Sequence, residues 1–207
     1  MMADVEIVLH PIPTADSKPY IIVYGPDRQL WFCESGTAKI GRMNPGNGSF
    51  VEFDTPTPDS RPIGITPAGE VTEFSQGLTP GCRPLSPVER NGDIWFSEYE
   101  AGQIGRITMD GHVTEYKIPT PNSEPRAMAT HPDGNIWFVE TKANALGRID
   151  MQGRVTEWPV KTPDASLRGV TVAPDGDLWF TENFSNKIGR MAPDGKVIGE
   201  YAIPVEA

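Results

Sequence analysis

The sequence predicts an all-β chain assembled from tandem four-stranded units, and three observations carry that prediction. A phrase recurs: Leu30-Trp31-Phe32-Cys33-Glu34, Ile94-Trp95-Phe96-Ser97-Glu98, Ile136-Trp137-Phe138-Val139-Glu140 and Leu178-Trp179-Phe180-Thr181-Glu182. Its spacing is fixed, because Trp95, Trp137 and Trp179 follow one another at intervals of 42 residues. The apolar segments are rich in β-branched and aromatic residues with Pro and Gly between them, and no apolar pattern at helical spacing is long enough to compete. A repeat of this length with four strands has the dimensions of a β-propeller blade, whose repeats run to roughly 40 to 50 residues.

Each unit can be read in order. An innermost apolar segment comes first, as in Ala127-Met128-Ala129-Thr130 or Gly169-Val170-Thr171-Val172. Asp133-Gly134-Asn135 and Asp175-Gly176-Asp177 then signal hairpins, since Gly supplies the positive φ that a tight turn needs. The Trp-Phe strand follows, then an Ile-Gly-Arg strand such as Ile104-Gly105-Arg106 or Ile188-Gly189-Arg190. An outer strand closes the unit, as in Val113-Thr114-Glu115-Tyr116 or Val155-Thr156-Glu157-Trp158.

The spacing breaks once. Trp31 to Trp95 is 64 residues, about 20 short of two periods. Arg61-Pro62-Ile63-Gly64-Ile65-Thr66 reads as an innermost segment yet runs directly into Pro67 to Phe74, an outer one, so one repeat lacks its two middle strands. The expectation is about five repeats, one of them shortened, within one domain spanning 1–207. Outer-type segments at both ends, Val5 to Pro13 and Val197 to Pro204, would let the N-terminal copy complete the last blade; an open arc is the equal alternative.

Composition narrows the function classes. Eighteen basic against 28 acidic residues give a net charge of −10, which disfavours a phosphate-backbone partner. No stretch approaches the roughly 20 apolar residues of a membrane helix, and the N-terminus lacks the basic start and apolar run of a signal peptide, so neither nucleic acid nor membrane is expected and the location expected is cytoplasmic. Cys33 and Cys82 occupy non-equivalent repeat positions and read as buried free thiols.

Among the candidate residues, Trp31, Trp95, Trp137 and Trp179 read as packing between neighbouring blades. The repeated Glu34, Glu98, Glu140 and Glu182 read first as ion-pair partners of Arg42, Arg106, Arg148 and Arg190, and second as a carboxylate cluster able to attract a hard cation. His131 and His112 read as solvated turn residues and His10 as part of an outer strand. Arg126 and Arg168, on the innermost strands of consecutive repeats, read as ligands for an anionic or carbonyl-rich molecule, with an ion pair to acidic neighbours as the competing explanation.

The succession Thr-Pro-x-Ser-x-Pro, Asp-Gly-x-x-Trp-Phe-x-Glu, Asn-x-x-Gly-Arg-(Ile/Met) and Val-Thr-Glu-(Tyr/Trp) closely resembles the streptogramin B lyases, also called virginiamycin B lyases, from about Pro11 to Pro204. The resemblance implies a seven-bladed propeller that opens cyclic depsipeptide antibiotics at their ester by Mg²⁺-dependent elimination, a carbon–oxygen lyase reaction tied to antibiotic resistance. Such chemistry needs a base for a weakly acidic hydrogen and a cation for the enolate. On the family pattern Glu124 and Glu140 stand where the metal carboxylates would be, and Arg126 stands at the position of the histidine base, where a permanently charged guanidinium cannot accept the proton. The corresponding positions in the other repeats read Tyr20, Ile63, Leu85 or Pro84, and Arg168, so the catalytic residue is unassigned. Two functions follow as expectations: a lyase acting on streptogramin B antibiotics, or a non-catalytic propeller binding a small molecule or cyclic peptide or serving as an interaction platform. An open arc would also expose strand edges that invite homo-oligomers.

Overall fold

The computed structural model describes residues 8–25, 27–55 and 77–204. They form sixteen strands and, among the described residues, no helix. The chain divides into two compact units, Met1–Glu73 and Phe74–Ala207. The shortened repeat at Arg61 to Phe74 lies outside the described residues, as do residues 5–7 of the N-terminal segment.

The first unit holds one four-stranded antiparallel sheet, blade A, made of β1 (Pro19–Tyr24), β2 (Leu30–Glu34), β3 (Lys39–Met43) and β4 (Phe50–Asp54) in sequential order. The second holds three. Blade B comprises β5 (Pro84–Arg90), β6 (Asp93–Glu98), β7 (Gln103–Ile107) and β8 (Val113–Lys117). Blade C comprises β9 (Pro125–Thr130), β10 (Ile136–Glu140), β11 (Ala145–Ile149) and β12 (Val155–Pro159), and blade D comprises β13 (Leu167–Val172), β14 (Leu178–Glu182), β15 (Lys187–Met191) and β16 (Val197–Ala202). Within each blade every strand pairs with the next in sequence, the outcome expected of short hairpin turns. Gly134 and Gly176 hold φ of +98° and +88° in those turns.

Residues 8–13 carry no strand, which corrects the outer-strand reading for His10. Pro11 and Pro13 remove ladder donors there. All four positions of blade D are filled by its own strands, with β16 outermost.

Strand alternation gives each blade two unlike faces. On one lie the Trp and the Arg directly opposite it, Trp137 against Arg148 and Trp179 against Arg190. On the other lie the Phe, the Gly opposite it and the Glu. In the second unit the Trp face of one blade packs on the Phe face of the next. Trp137, Val139 and Leu146 of blade C meet Leu167, Leu178, Phe180 and Met191 of blade D, and Trp95 and Ile104 of blade B meet Met128, Ile136, Phe138 and Ile149 of blade C. Trp95 and Trp137 thus pack between blades as expected, and all four repeated Trp side chains make a second contact. Each stacks on an aromatic of its own outer strand: Trp31 on Phe53, Trp95 on Tyr116, Trp137 on Trp158, Trp179 on Tyr201.

The glycine of Ile-Gly-Arg is dictated by the Phe face. A Cβ on Gly147 would come within 2.2 Å of the Phe138 ring, and one on Gly189 within 2.1 Å of Phe180. Any side chain there would lift the ring off the sheet.

Candidate functional site

The pairing register aligns the first residues of the innermost strands. Pro84 faces Glu98, Pro125 faces Glu140, Pro19 faces Glu34 and Leu167 faces Glu182. The next position therefore holds Tyr20, Leu85, Arg126 and Arg168, so Leu85 and not Pro84 is the counterpart of Arg126. Arg126 and Arg168 occupy matching positions on β9 and β13, whose strands pack against one another.

Arg126 is half-buried and lies over the ring of Tyr99, 4.2 Å from its centroid. The Tyr99 hydroxyl donates to Glu124 Oε2 at 2.7 Å. Glu124 has φ of +55°, and its carbonyl accepts from the Thr141 amide. Arg126 thus rests on an aromatic face, and the ion pair weighed for it is not formed; its Nε has no hydrogen-bond partner. A guanidinium over a tyrosine face is stabilised by about 0.5–2 kcal/mol and keeps its outer N–H donors free for a ligand. Arg168 is exposed and has no ion-pair partner among the described residues.

The repeated glutamates do not pair with the repeated arginines. Trp and Glu stand three residues apart on one strand and so point to opposite faces, and the arginine stands opposite the Trp. Arg42, Arg106, Arg148 and Arg190 lie over Trp31, Trp95, Trp137 and Trp179 at 5.3–5.7 Å. Two of them also bind aspartates ahead of the Trp: Arg106 Nε donates to Asp93 at 2.7 Å, and Arg190 Nε to Asp177 at 2.6 Å.

The glutamates instead sit fully buried beside a second glutamate on the outer strand. Glu34 neighbours Glu52, Glu98 neighbours Glu115, and Glu140 neighbours Glu157. The outer glutamate clasps the loop that leads into its own blade. Thr14 donates its amide and hydroxyl to Glu52, Thr162 does the same to Glu200, and Thr79 hydroxyl binds Glu115 at 2.7 Å. These hydrogen bonds keep Glu115 and Glu200 ionised, below the ordinary carboxylate range despite their partial burial. The inner glutamate pays the other side of this arrangement. Burial, then Glu157, pushes Glu140 up to about 9, and burial raises Glu98 to about 7, with Glu115 adding to the rise.

Of the residues assigned by resemblance, Glu124 is engaged by Tyr99, whereas Glu140 faces Glu157 and Ser123. Both Glu140 oxygens lack a hydrogen-bond partner, but one oxygen is orphaned in the same way in Glu34, Glu98 and Glu182, so the feature belongs to the repeat. A fully enclosed carboxyl that carries its proton at neutral pH is a poor ligand for Mg²⁺, which prefers ionised oxygens and retained waters. The residues therefore do not fit a magnesium ion as arranged.

His131 corrects another expectation. It is buried, its Nε2 lies 2.8 Å from the Gly176 carbonyl, and its Nδ1 lies 3.1 Å from the Asp133 amide and 2.8 Å from Asp133 Oδ1. His131 ties the hairpin of blade C to that of blade D. His112 is exposed, in keeping with a turn residue. Cys33 is a buried free thiol, and Cys82 a free thiol that is only half-buried. Sequence reasoning missed Tyr99, Ser123 and Glu157. Only the Val-Thr-Glu recurrence pointed to Glu157; the others needed the register.

Four-stranded antiparallel blades at a 42-residue period, packed Trp face to Phe face, define a β-propeller-type protein. The virginiamycin B lyase family model matches residues 1–72 and 66–207, and the chain belongs to that family. A virginiamycin B lyase of Nocardia farcinica is 32% identical over 137 residues, 58% of this chain and 48% of that protein. The chain thus spans about half the length of this curated relative. A streptogramin B lyase structure superposes with a TM-score of 0.86 at 31% identity, covering 95% of this chain and 72% of that one. A catalytically inactive histidine-to-alanine variant of Staphylococcus aureus virginiamycin B lyase with quinupristin is 33% identical, with a TM-score of 0.62, over 100% of this chain and 62% of that one. No helix among the described residues is long and apolar enough to cross a membrane.

Proposed function

We propose that this chain recognises a carbonyl-rich cyclic depsipeptide of the streptogramin B type and that its described blades bind the ring without opening it. The observation that carries the reading is Arg126. It is a guanidinium held over Tyr99, beside the exposed Arg168 at the matching position of the neighbouring blade. Two forks of N–H donors on adjacent innermost strands suit ester and amide carbonyls. The same residue stands where elimination would need a proton acceptor, and a guanidinium does not act as one.

Family membership favours a second reading, a carbon–oxygen lyase whose base is a residue other than Arg126 and whose cation, if it uses one, is not held by Glu124 and Glu140 as they stand. One experiment separates the two. Quinupristin is incubated with the protein, with and without Mg²⁺, and followed by calorimetry and fragmentation mass spectrometry. Binding with an intact ring, weakened about tenfold by Arg126→Ala, supports recognition. Ring opening at unchanged mass supports elimination, and absence of both overturns the proposal.

A further inference from the structure

A buried inner glutamate and a half-buried glutamate on the outer strand recur in each described blade, but what surrounds them does not. The first residue of the third strand, beside the inner glutamate, is Lys39 in blade A and Lys187 in blade D. Lys187 Nζ lies 3.8 Å from Glu200 and donates to Thr162, while Lys39 binds Asp54 at 3.2 Å and acts on Glu52 and Glu34 through space. In blades B and C this position is Gln103 and Ala145, so those two pockets hold two carboxyl groups without a side-chain cation.

Blade B adds a third donor. Counting three residues on from the loop threonine gives Ser17 after Thr14, Ser123 after Thr120, Ala165 after Thr162 and Cys82 after Thr79. Only blade B carries a thiol there. Cys82 Sγ and carboxylate oxygens of Glu98 and Glu115 lie within 4.8 Å of one another, the one such trio among the described residues. Glu98 is 0% exposed, Gln103 donates to its Oε2, and its Oε1 has no hydrogen-bond partner. That oxygen lies over Gly105, the residue paired with Glu115, so Glu98 and Glu115 present their carboxyl groups on the same face of the blade. Glu115 is already fixed by Thr79, as a ligand held by outer partners should be.

We propose that Cys82, Glu98 and Glu115 form a binding site for one divalent transition-metal ion of the zinc class. The donor set selects the ion. One thiolate with two carboxylates suits a borderline cation, whereas Mg²⁺ and Ca²⁺ would not choose sulfur. Bond lengths of about 2.3 Å to sulfur and about 2.0–2.2 Å to oxygen ask the three side chains to close in by only about an ångström, leaving a fourth position for water. The thiol proton departs as the thiolate binds, and no electron is transferred. The ammonium groups of blades A and D mark where positive charge belongs beside such a pair. A proton shared between Glu98 and Glu115 is the competing occupant of the pocket.

Cobalt titration of the full chain tests the site without reference to any lyase activity. One equivalent of Co²⁺ should give a sulfur-to-cobalt charge-transfer band and the strong visible bands of a four-coordinate ion, and Zn²⁺ should bleach both. Cys82→Ser should remove the charge-transfer band and weaken Zn²⁺ binding by about tenfold or more. Gln103→Lys installs the lysine that blades A and D already accommodate, so it should abolish metal binding while the circular dichroism and denaturation midpoint hold. The proposal is overturned if the native protein gives no thiolate band, if the band survives in Cys82→Ser and so arises at Cys33, or if Gln103→Lys binds Zn²⁺ like the native protein.

Discussion

The polar pockets of blades C and D rest on the same apolar frame yet have opposite electrostatics. In blade D, Lys187 supplies a positive charge and Ser185 donates to Glu182; in blade C, Ala145 supplies nothing and Glu140 is left with two unpartnered oxygens. The Phe over Gly contact and the Trp stacked on an outer aromatic recur in both. The difference teaches that the propeller frame is held by the aromatic residues, while the glutamate pocket is a place where blades diverge without losing their shape.

Breaking the frame should have the largest effect. Phe138→Ala removes a fully buried ring and is expected to cost about 3–5 kcal/mol in urea denaturation, and Phe180→Ala about as much; a loss under about 1 kcal/mol in either would mean that the frame is not shared. Glu140→Gln sharpens the electrostatic side. The native carboxyl is raised from 4.5 to about 9, so between those values the folded state binds more protons than the unfolded one and stability falls as pH rises. The Gln variant should match the native protein near pH 4.5, exceed it near pH 9 by on the order of a few kcal/mol, and lose that slope. Parallel pH profiles for the two proteins would count against the assignment.

Lys187→Ala converts the blade D pocket toward that of blade C. It should cost roughly 0.5–1 kcal/mol, visible as a lower denaturation midpoint at low salt and less so at high salt. The smallest effect is expected at the face both blades share. Arg148, over Trp137 and Trp158, should contribute about 0.5 kcal/mol, so Arg148→Ala should shift tryptophan emission with little change in midpoint.

These comparisons also show which parts of the molecule the sequence could disclose. Blade boundaries, hairpins and the role of the tryptophans were legible because they depend on local spacing and repeat at a fixed period. The Glu and Arg pairing was misread because both residues recur once per blade, and recurrence says nothing about which face a side chain takes. Strand alternation from Trp137 to Glu140, with Arg148 opposite Trp137, decides it. The burial of His131 was not legible, since its partner carbonyl at Gly176 belongs to the next blade. The half-buried Cys82 looked like an ordinary thiol until register and loop set it beside Glu98 and Glu115. At the candidate recognition site, the positions of Arg126 and Arg168 could be read off the repeat, but Tyr99 lies in the preceding blade and only the fold brings it under the guanidinium.

The clasp between each leading threonine and its own outer strand reaches beyond stability. Thr14 to Glu52 and Thr162 to Glu200 each join points 38 residues apart, nearly the whole repeat, so a blade fastens its first segment to its last without help from its neighbours. This closure lies within single repeats, so folding can begin at whichever blade forms first and spread outward through the contacts between blades. The same self-fastening makes the repeat a heritable module, one that duplication or loss can add or remove whole.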